Sequence, residues 1–308
     1  GLEALGARFE LSGGYIHGRA GRLRGAEFQF DMPSVTGTEN VLMAAVLAEG
    51  TTVLRNAARE PEVVDLGEFL ISLGARIEGL GTSTLTIHGV SRLTPASRPW
   101  AVMPDRIETG TLLCAAAITG GNITVTDTDP GLLTAVIAKL RDAGCTVDTT
   151  DDTIRCQGPE RLSAMRVRTE PHPGFPTDMQ AQFMSMAAVA HGTSTLVETI
   201  FENRFLHAAE LARLGAHIEA TGNTATIVGV PSLTGAAVMA SDLRASAALV
   251  LAGLAASGRT EVLRIYHLDR GYDDLAGRLR TVGARIARVP DHLHDDDALT
   301  RALDGEAA

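Results

Sequence analysis

In EVVDLGEFLISLGA, the apolar residues Val63, Leu66, Phe69, Leu70 and Leu73 fall at three- and four-residue steps. That spacing is the stripe of an amphipathic helix. Leu133, Val136, Ile137 and Leu140 repeat the pattern in GLLTAVIAKLRDAG. Both stretches end on a small, glycine-centred phrase that recurs as LGARFE, LGARIE, AGCTVD, LGAHIE and VGARIA. Its glycines are Gly6, Gly74, Gly144, Gly215 and Gly283, with spacings of 68, 70, 71 and 68 residues. Self-similarity at so fixed a period marks a repeated supersecondary unit. The glycine is expected to end each helix as the residue just past its C-cap.

Within each unit the order is constant. A small-residue, apolar helix comes first, in NVLMAAVLAEG, TLLCAAAITGG, FMSMAAVAHG and AALVLAGLAASG. A β-rich run follows, in TTVLRNA, NITVTDT, TSTLVETI and RTEVLRIY. The amphipathic helix comes next, and two strands with glycine at their turn close the unit, as in HIEATGNTATIVGV. Alternation in this order predicts an α/β fold built from repeated units. Three complete units occupy about 103–289 and one about 31–93, while 2–19 carries only the closing part of another. The expected organisation is an incomplete lobe over 1–102, a three-repeat lobe over 103–290 and an acidic tail over 291–308. The opening GLEALGARFELSGG starts in mid-element, which suggests the later part of a longer chain.

Composition narrows the classes. At 308 residues and 45% hydrophobic, the chain is large enough for about two domains with sizeable cores. No apolar run approaches the roughly 20 residues that span a bilayer, and no signal-peptide pattern is present. A cytoplasmic protein with no membrane partner is therefore expected. A formal charge of -10 argues against general nucleic-acid binding, which needs a basic face. It leaves room for small anionic substrates held by local arginines. Cys114, Cys145 and Cys156 lack metal-ligand spacing and read as reduced packing thiols. In the tail, His292, His294 and Asp295 to Asp297 read as a solvated acidic run rather than a metal site. No metal and no cofactor is implied.

The polar residues are placed unevenly. Each such apolar helix is preceded by a polar cluster: PSVTGTEN (33–40), PDRIETGT (104–111), PTDMQAQF (176–183) and SDLRASAA (241–248). Internal symmetry makes these helix starts equivalent, so they could converge. Free amides and the helix dipole at such ends favour anions. Asp178 is the single acid before FMSMAAVA; it, or Thr177, could simply cap the helix. Arg204 in FENRFLH, Arg244 in SDLRAS and Arg270 in YHLDRGY lie at element boundaries. Such arginines either pair with Asp242 or Asp269 or turn their planar forks toward a ligand carboxylate or phosphate.

EPEVVD, PDRIETGT, PHPGFPTDMQAQF, ENRFLH, SDLRASAALVLAG and IYHLDRGY closely resemble the bacterial UDP-N-acetylglucosamine enolpyruvyl transferases (MurA) from residue 2 to about 289. The resemblance implies an inside-out α/β barrel architecture of two three-repeat domains, with substrates in the cleft between them. It implies transfer of the enolpyruvyl group of phosphoenolpyruvate to the 3-hydroxyl of UDP-N-acetylglucosamine, the first committed step of peptidoglycan synthesis. Carried over by motif, Asp178 is the general base facing the sugar hydroxyl, and an enclosed site is expected to raise its pKa. Ile200 contacts the sugar nucleotide through its backbone, and Ser34 and Val35 lie in the loop that cradles the UDP part. Thr36 stands where that family usually has glycine, with Gly37 one place later. Arg270 grips the phosphoenolpyruvate anion, while Arg204, Asp242 and Arg244 support the reacting groups. The family's lysine–asparagine pair and its mobile loop with the general acid are absent from the 308 residues, so this chain alone is expected to be inactive. Two alternatives stay open: a non-catalytic UDP-sugar binder, and a related transferase such as the shikimate-pathway synthase.

Overall fold

The structure, a computed structural model, describes residues 1–289; the acidic tail with His292 and His294 lies outside them. By its internal contacts the chain divides into two units. Unit 1 comprises 1–103 with 171–173, and unit 2 comprises 104–170 with the chain from 174 onward.

Unit 1 begins with an antiparallel hairpin of β1 (Arg8–Ser12) and β2 (Tyr15–Arg19). The complete repeat follows as β3 (Glu27–Gln29), α1 (Val35–Val46), β4 (Thr51–Arg55), α2 (Pro61–Ser72), β5 (Arg76–Glu78) and β6 (Thr84–His88). Its sheet runs β3-β4-β6-β5, parallel between β3 and β4 and antiparallel elsewhere. Alternation in β4 and β6 turns Leu54, Leu85 and Ile87 inward, where they meet Leu42, Ala45 and Val46 of α1.

Unit 2 follows this plan three times, but among the described residues the first repeat lacks the opening strand and the third lacks the closing pair. The first repeat holds α3 (Arg106–Thr119), β7 (Asn122–Thr126), α4 (Thr134–Asp142), β8 (Thr146–Thr149) and β9 (Thr153–Gln157). The second holds β10 (Arg166–Arg168), α5 (Gln180–Val189), β11 (Thr193–Val197), α6 (His207–Arg213), β12 (His217–Thr221) and β13 (Thr224–Val228), in a sheet ordered β10-β11-β13-β12. The third holds the short strands β14 (Leu233–Thr234), β15 (Ala237–Met239), β16 (Ala256–Ser257) and β17 (Glu261–Leu263) around α7 (Leu243–Ala255), then a 3₁₀ turn at Ile265–Arg270 and α8 (Leu275–Thr281). The strands β3, β10 and β15 run parallel to β4, β11 and β17, so each helix between them is a crossover.

The helices α3, α5 and α7 pack against one another in the middle of unit 2. In α5 every residue from Gln180 to Ala188 is buried, the polar Gln180, Gln182 and Ser185 included. Phe183 and Met184 are wholly enclosed, and burial of such side chains is worth about 1.5–3 kcal/mol each. Cys114, Cys145 and Cys156 are free and lie in the same core.

The repeated glycine does what its position suggests. All five have φ between 93° and 98°, a region costly for any residue with a Cβ. The amide of Gly144 donates to Arg141 O and that of Cys145 to Leu140 O, the paired bonds of a Schellman stop. The same pair recurs after Gly6, Gly74, Gly215 and Gly283.

Candidate functional site

Three of the four helix starts are capped as the symmetry suggests. Ser34 Oγ accepts from Gly37 N (3.1 Å), Asp105 from Ile107 N and Glu108 N (2.8 and 3.0 Å), and Asp242 from Arg244 N and Ala245 N (both 3.0 Å). The fourth differs. Neither Thr177 nor Asp178, in the 3₁₀ turn that leads into α5, accepts a capping bond from its helix. The capping alternative for Asp178 is therefore not realised, because two other groups hold its carboxylate.

Arg204 Nη2 donates to Asp178 Oδ1 at 2.7 Å and Arg244 Nη2 to Asp178 Oδ2 at 2.8 Å. One guanidinium comes from the loop before α6 and the other from the first turn of α7. The Asp178 side chain retains about a third of its exposure (35%), enough for a ligand to reach it. Burial, the largest single influence, pushes its carboxyl up. Arg244, Arg204 and the hydrogen bonds from both outweigh burial and hold it below the usual carboxylate range. The pKa is thus lowered rather than raised, since the enclosing elements bring two cations with them.

The network continues through the helix starts. Arg244 Nη1 lies 3.5 Å from the Tyr272 hydroxyl, with its guanidinium carbon 5.9 Å from the ring centroid. Thr111 Oγ1 donates to Ile107 O (2.8 Å) and so is an acceptor toward its other partners, Tyr272 OH at 2.9 Å and Gln182 Nε2 at 3.0 Å. Burial, above all, keeps the Tyr272 phenol in its protonated form by raising its pKa. Residues from the starts of α3, α5 and α7 are thereby joined by one chain of hydrogen bonds. For Arg244, burial disfavours the charge, but Asp178 and Tyr272 more than restore it.

The other residues singled out by sequence are placed as follows. Asp242 spends its carboxylate on the α7 cap, with Ser241 Oγ as a further donor at 3.1 Å. Ile200 is half-buried, and its amide donates to Glu198 Oε1 at 2.8 Å. Arg270 ends the 3₁₀ turn, exposed, two residues from Tyr272, and forms no hydrogen bond or ion pair among the described residues. Ser34 and Val35 belong to unit 1, where Ser34 caps α1 and Val35 is its first residue. Sequence reasoning missed Tyr272, Thr111, Gln182 and Glu198. Thr111 and Gln182 sit inside the clusters that were noticed, while nothing in VETI distinguishes Glu198 from a solvent-facing strand residue.

Residues 1–279 match the family described as EPSP synthase (3-phosphoshikimate 1-carboxyvinyltransferase). The chain belongs to that family. Solved structures of enolpyruvyl transferases share the mixed α/β fold. The enolpyruvyl transferase NikO from Streptomyces tendae superposes with a TM-score of 0.82 at 28% identity, over 92% of this chain and 70% of that one. Two structures of EPSP synthase from Acinetobacter baumannii superpose with TM-scores of 0.68 and 0.69 at 19% identity, over 92% and 94% of this chain and 69% and 70% of theirs. At that identity they support the mixed α/β fold alone. Among the described residues, no helix is long and apolar enough to cross a membrane, and no group of acidic, histidine or cysteine side chains is placed to hold a metal ion.

Proposed function

We propose that this EPSP synthase family chain serves transfer of the enolpyruvyl group of phosphoenolpyruvate to the 3-hydroxyl of UDP-N-acetylglucosamine, a cytoplasmic step of peptidoglycan synthesis. The observation that carries the reading is the held carboxylate: at one of four equivalent helix starts the acid is released from capping and gripped by two arginines. Family membership supports the reaction class. The motifs around Asp178, Arg204, Arg244 and Arg270 support the acceptor.

In this reading Asp178 takes the proton of the acceptor hydroxyl as its oxygen bonds to C2 of the enolpyruvyl group and C3 takes up a proton. Loss of a proton from C3 then re-forms the double bond and expels phosphate with the electrons of its C–O bond. Both Asp178 oxygens are occupied in the resting arrangement, so the ionised carboxylate is a weak base there. An anionic donor competes for Arg204 and Arg244, and for Arg270, which has no partner among the described residues. Drawing one guanidinium away from Asp178 raises the basicity of the carboxylate at the moment the donor is in place. Ile200 supplies backbone contact to the sugar nucleotide, Ser34 and Val35 lie in the loop that cradles its UDP part, and Asp242 fixes the start of α7 and hence Arg244.

A second acceptor is favoured by a specific observation. The matching family takes its name from transfer to 3-phosphoshikimate, and the enolpyruvyl transferase NikO shares the fold. Calorimetry with UDP-N-acetylglucosamine and with shikimate 3-phosphate, each with and without phosphoenolpyruvate, separates the readings, with phosphate release followed in parallel. Saturable binding of the sugar nucleotide alone is expected. Binding of shikimate 3-phosphate instead would transfer the assignment to that acceptor.

A further inference from the structure

Glu198 is 2% exposed, yet it is a carboxylate directly after β11. Its oxygens are fully used. Oε1 accepts from Thr169 Oγ1 at 2.8 Å, from Ile200 N at 2.8 Å and from Phe201 N at 3.2 Å. Oε2 accepts from Thr177 Oγ1 at 2.9 Å. Thr177 Oγ1 in turn accepts a short bond from Arg204 Nη1, while Nη2 of the same guanidinium holds Asp178. Thr169 also braces the loop, because its Oγ1 accepts from Thr199 N at 2.8 Å.

The repeats show how unusual this is. The amides of Ala57, Thr128 and Glu198 donate to Ser83 O, Asp152 O and Asn223 O, so the three positions are equivalent. After β4 and β7 a left-handed residue, Asn56 or Asp127 with φ of 54° and 55°, precedes a small buried side chain. The repeat that holds β11 lacks that residue, and a buried carboxylate takes the place of the small side chain. A buried charge is retained only where hydrogen bonds compensate it. Here every bond it receives comes from the two loops that carry Asp178, Ile200 and Arg204.

We propose that Glu198 is a positioning residue: through Thr177 it sets the guanidinium of Arg204 against Asp178, and through the Ile200 amide it fixes the turn that meets the acceptor. The assignment of Asp178 and Ile200 rests on the functional reading above, but the linkage to Asp178 can be tested without it. In Glu198→Gln the amide nitrogen cannot accept from Thr177. In Thr177→Val the hydroxyl that joins Glu198 to Arg204 is gone, while Glu198 keeps its other three donors.

The experiment is a pH titration of the Asp178 carboxyl carbon by NMR, assigned with Asp178→Asn, in the wild type and both variants, with thermal unfolding of each. The expected result is an Asp178 pKa that moves upward in both variants, because Arg204 no longer holds the carboxylate squarely. Thr177→Val is expected to unfold within a few degrees of wild type and so guards against a Glu198→Gln variant that does not fold. If Asp178 titrates as in wild type in the folded variants and only the unfolding temperature falls, Glu198 is a structural brace and the proposal is overturned. Failure of UDP-N-acetylglucosamine to bind the wild type would overturn the acceptor while leaving the titration result intact. Sugar-nucleotide affinity of Thr177→Val supplies the second readout: at least a threefold loss is expected from the disturbed turn, and unchanged affinity together with an unchanged Asp178 titration counts against the proposal.

Discussion

At Asp178 the decisive contest is between burial and two guanidinium groups, and the guanidinium groups prevail. A carboxyl whose folded pKa lies below its unfolded value stabilises the protein fully above the unfolded value, about 3.9, and that contribution is lost as pH falls toward the folded value. Asp178→Asn should therefore flatten the acid limb of the stability curve below about pH 4, as acid titration of the unfolding midpoint will show. In a longer chain that supports turnover, the same substitution should reduce it by at least about a hundredfold, within the usual contribution of a general base, with modest loss of sugar-nucleotide affinity by calorimetry. His207 behaves differently. It is 3% exposed, its Nε2 has no partner among the described residues, and burial lowers its pKa to about 4. Nearby Asp242 works against that shift and Arg204 with it. Because the unfolded state takes up the proton first, the folded state loses stability as pH falls from about 6.5 toward 4, by roughly 2–4 kcal/mol in total. His207→Phe should remove that slope, which denaturant titrations at pH 7 and pH 5 will measure.

At the scale of elements, periodicity disclosed the helices well. The stripe of Val63, Leu66 and Leu70 is the inner face of α2, and the five glycine stops fall where the repeat puts them. The strands β3, β10 and β15 were not legible, because three residues are too few for alternation to register. The site was half legible. Its residues cluster at helix starts, which the sequence displays, but the pairing of Asp178 with Arg204 and Arg244 depends on loops brought together from 26 and 66 residues away. Glu198 was hidden because its burial is decided by the two loops that cover it and not by neighbours in sequence. Two predictions belong to this scale. Gly144→Ala, at φ 96°, should cost about 1–2 kcal/mol by denaturant unfolding, since a Cβ is forced into the left-handed region. In the β1–β2 hairpin, Leu11 and Ile16 face each other across the strands and are 80% and 70% exposed. An exposed apolar ribbon of this kind favours association, so Leu11→Lys with Ile16→Thr should reduce light scattering at high protein concentration.

For the molecule as a whole, the two units have separate cores. One is built around Leu42, Leu54 and Ile87, the other around Leu113, Phe183 and Leu249. Separate cores allow separate cooperative transitions. Phe183→Ala, which empties the middle of three mutually packed helices, should cost about 3–5 kcal/mol. In calorimetry it should lower one unfolding transition and leave the other in place. The connecting stretch around Arg92 is exposed and carries no regular secondary structure, so mild trypsin should cut there before it reaches either core.

The junction between Val197 and Glu198 has a wider consequence. Sister modules in this chain start from one blueprint, and a difference of a single residue in length lets one of them aim a charge inward where its siblings place a methyl or hydroxyl group. Adding an asparagine at that seam would restore the common blueprint and swing the carboxylate out of register with its four donors. In a molecule assembled from near-copies, individuality can come from subtraction, and the seams that are one residue short are where to look for specialised chemistry.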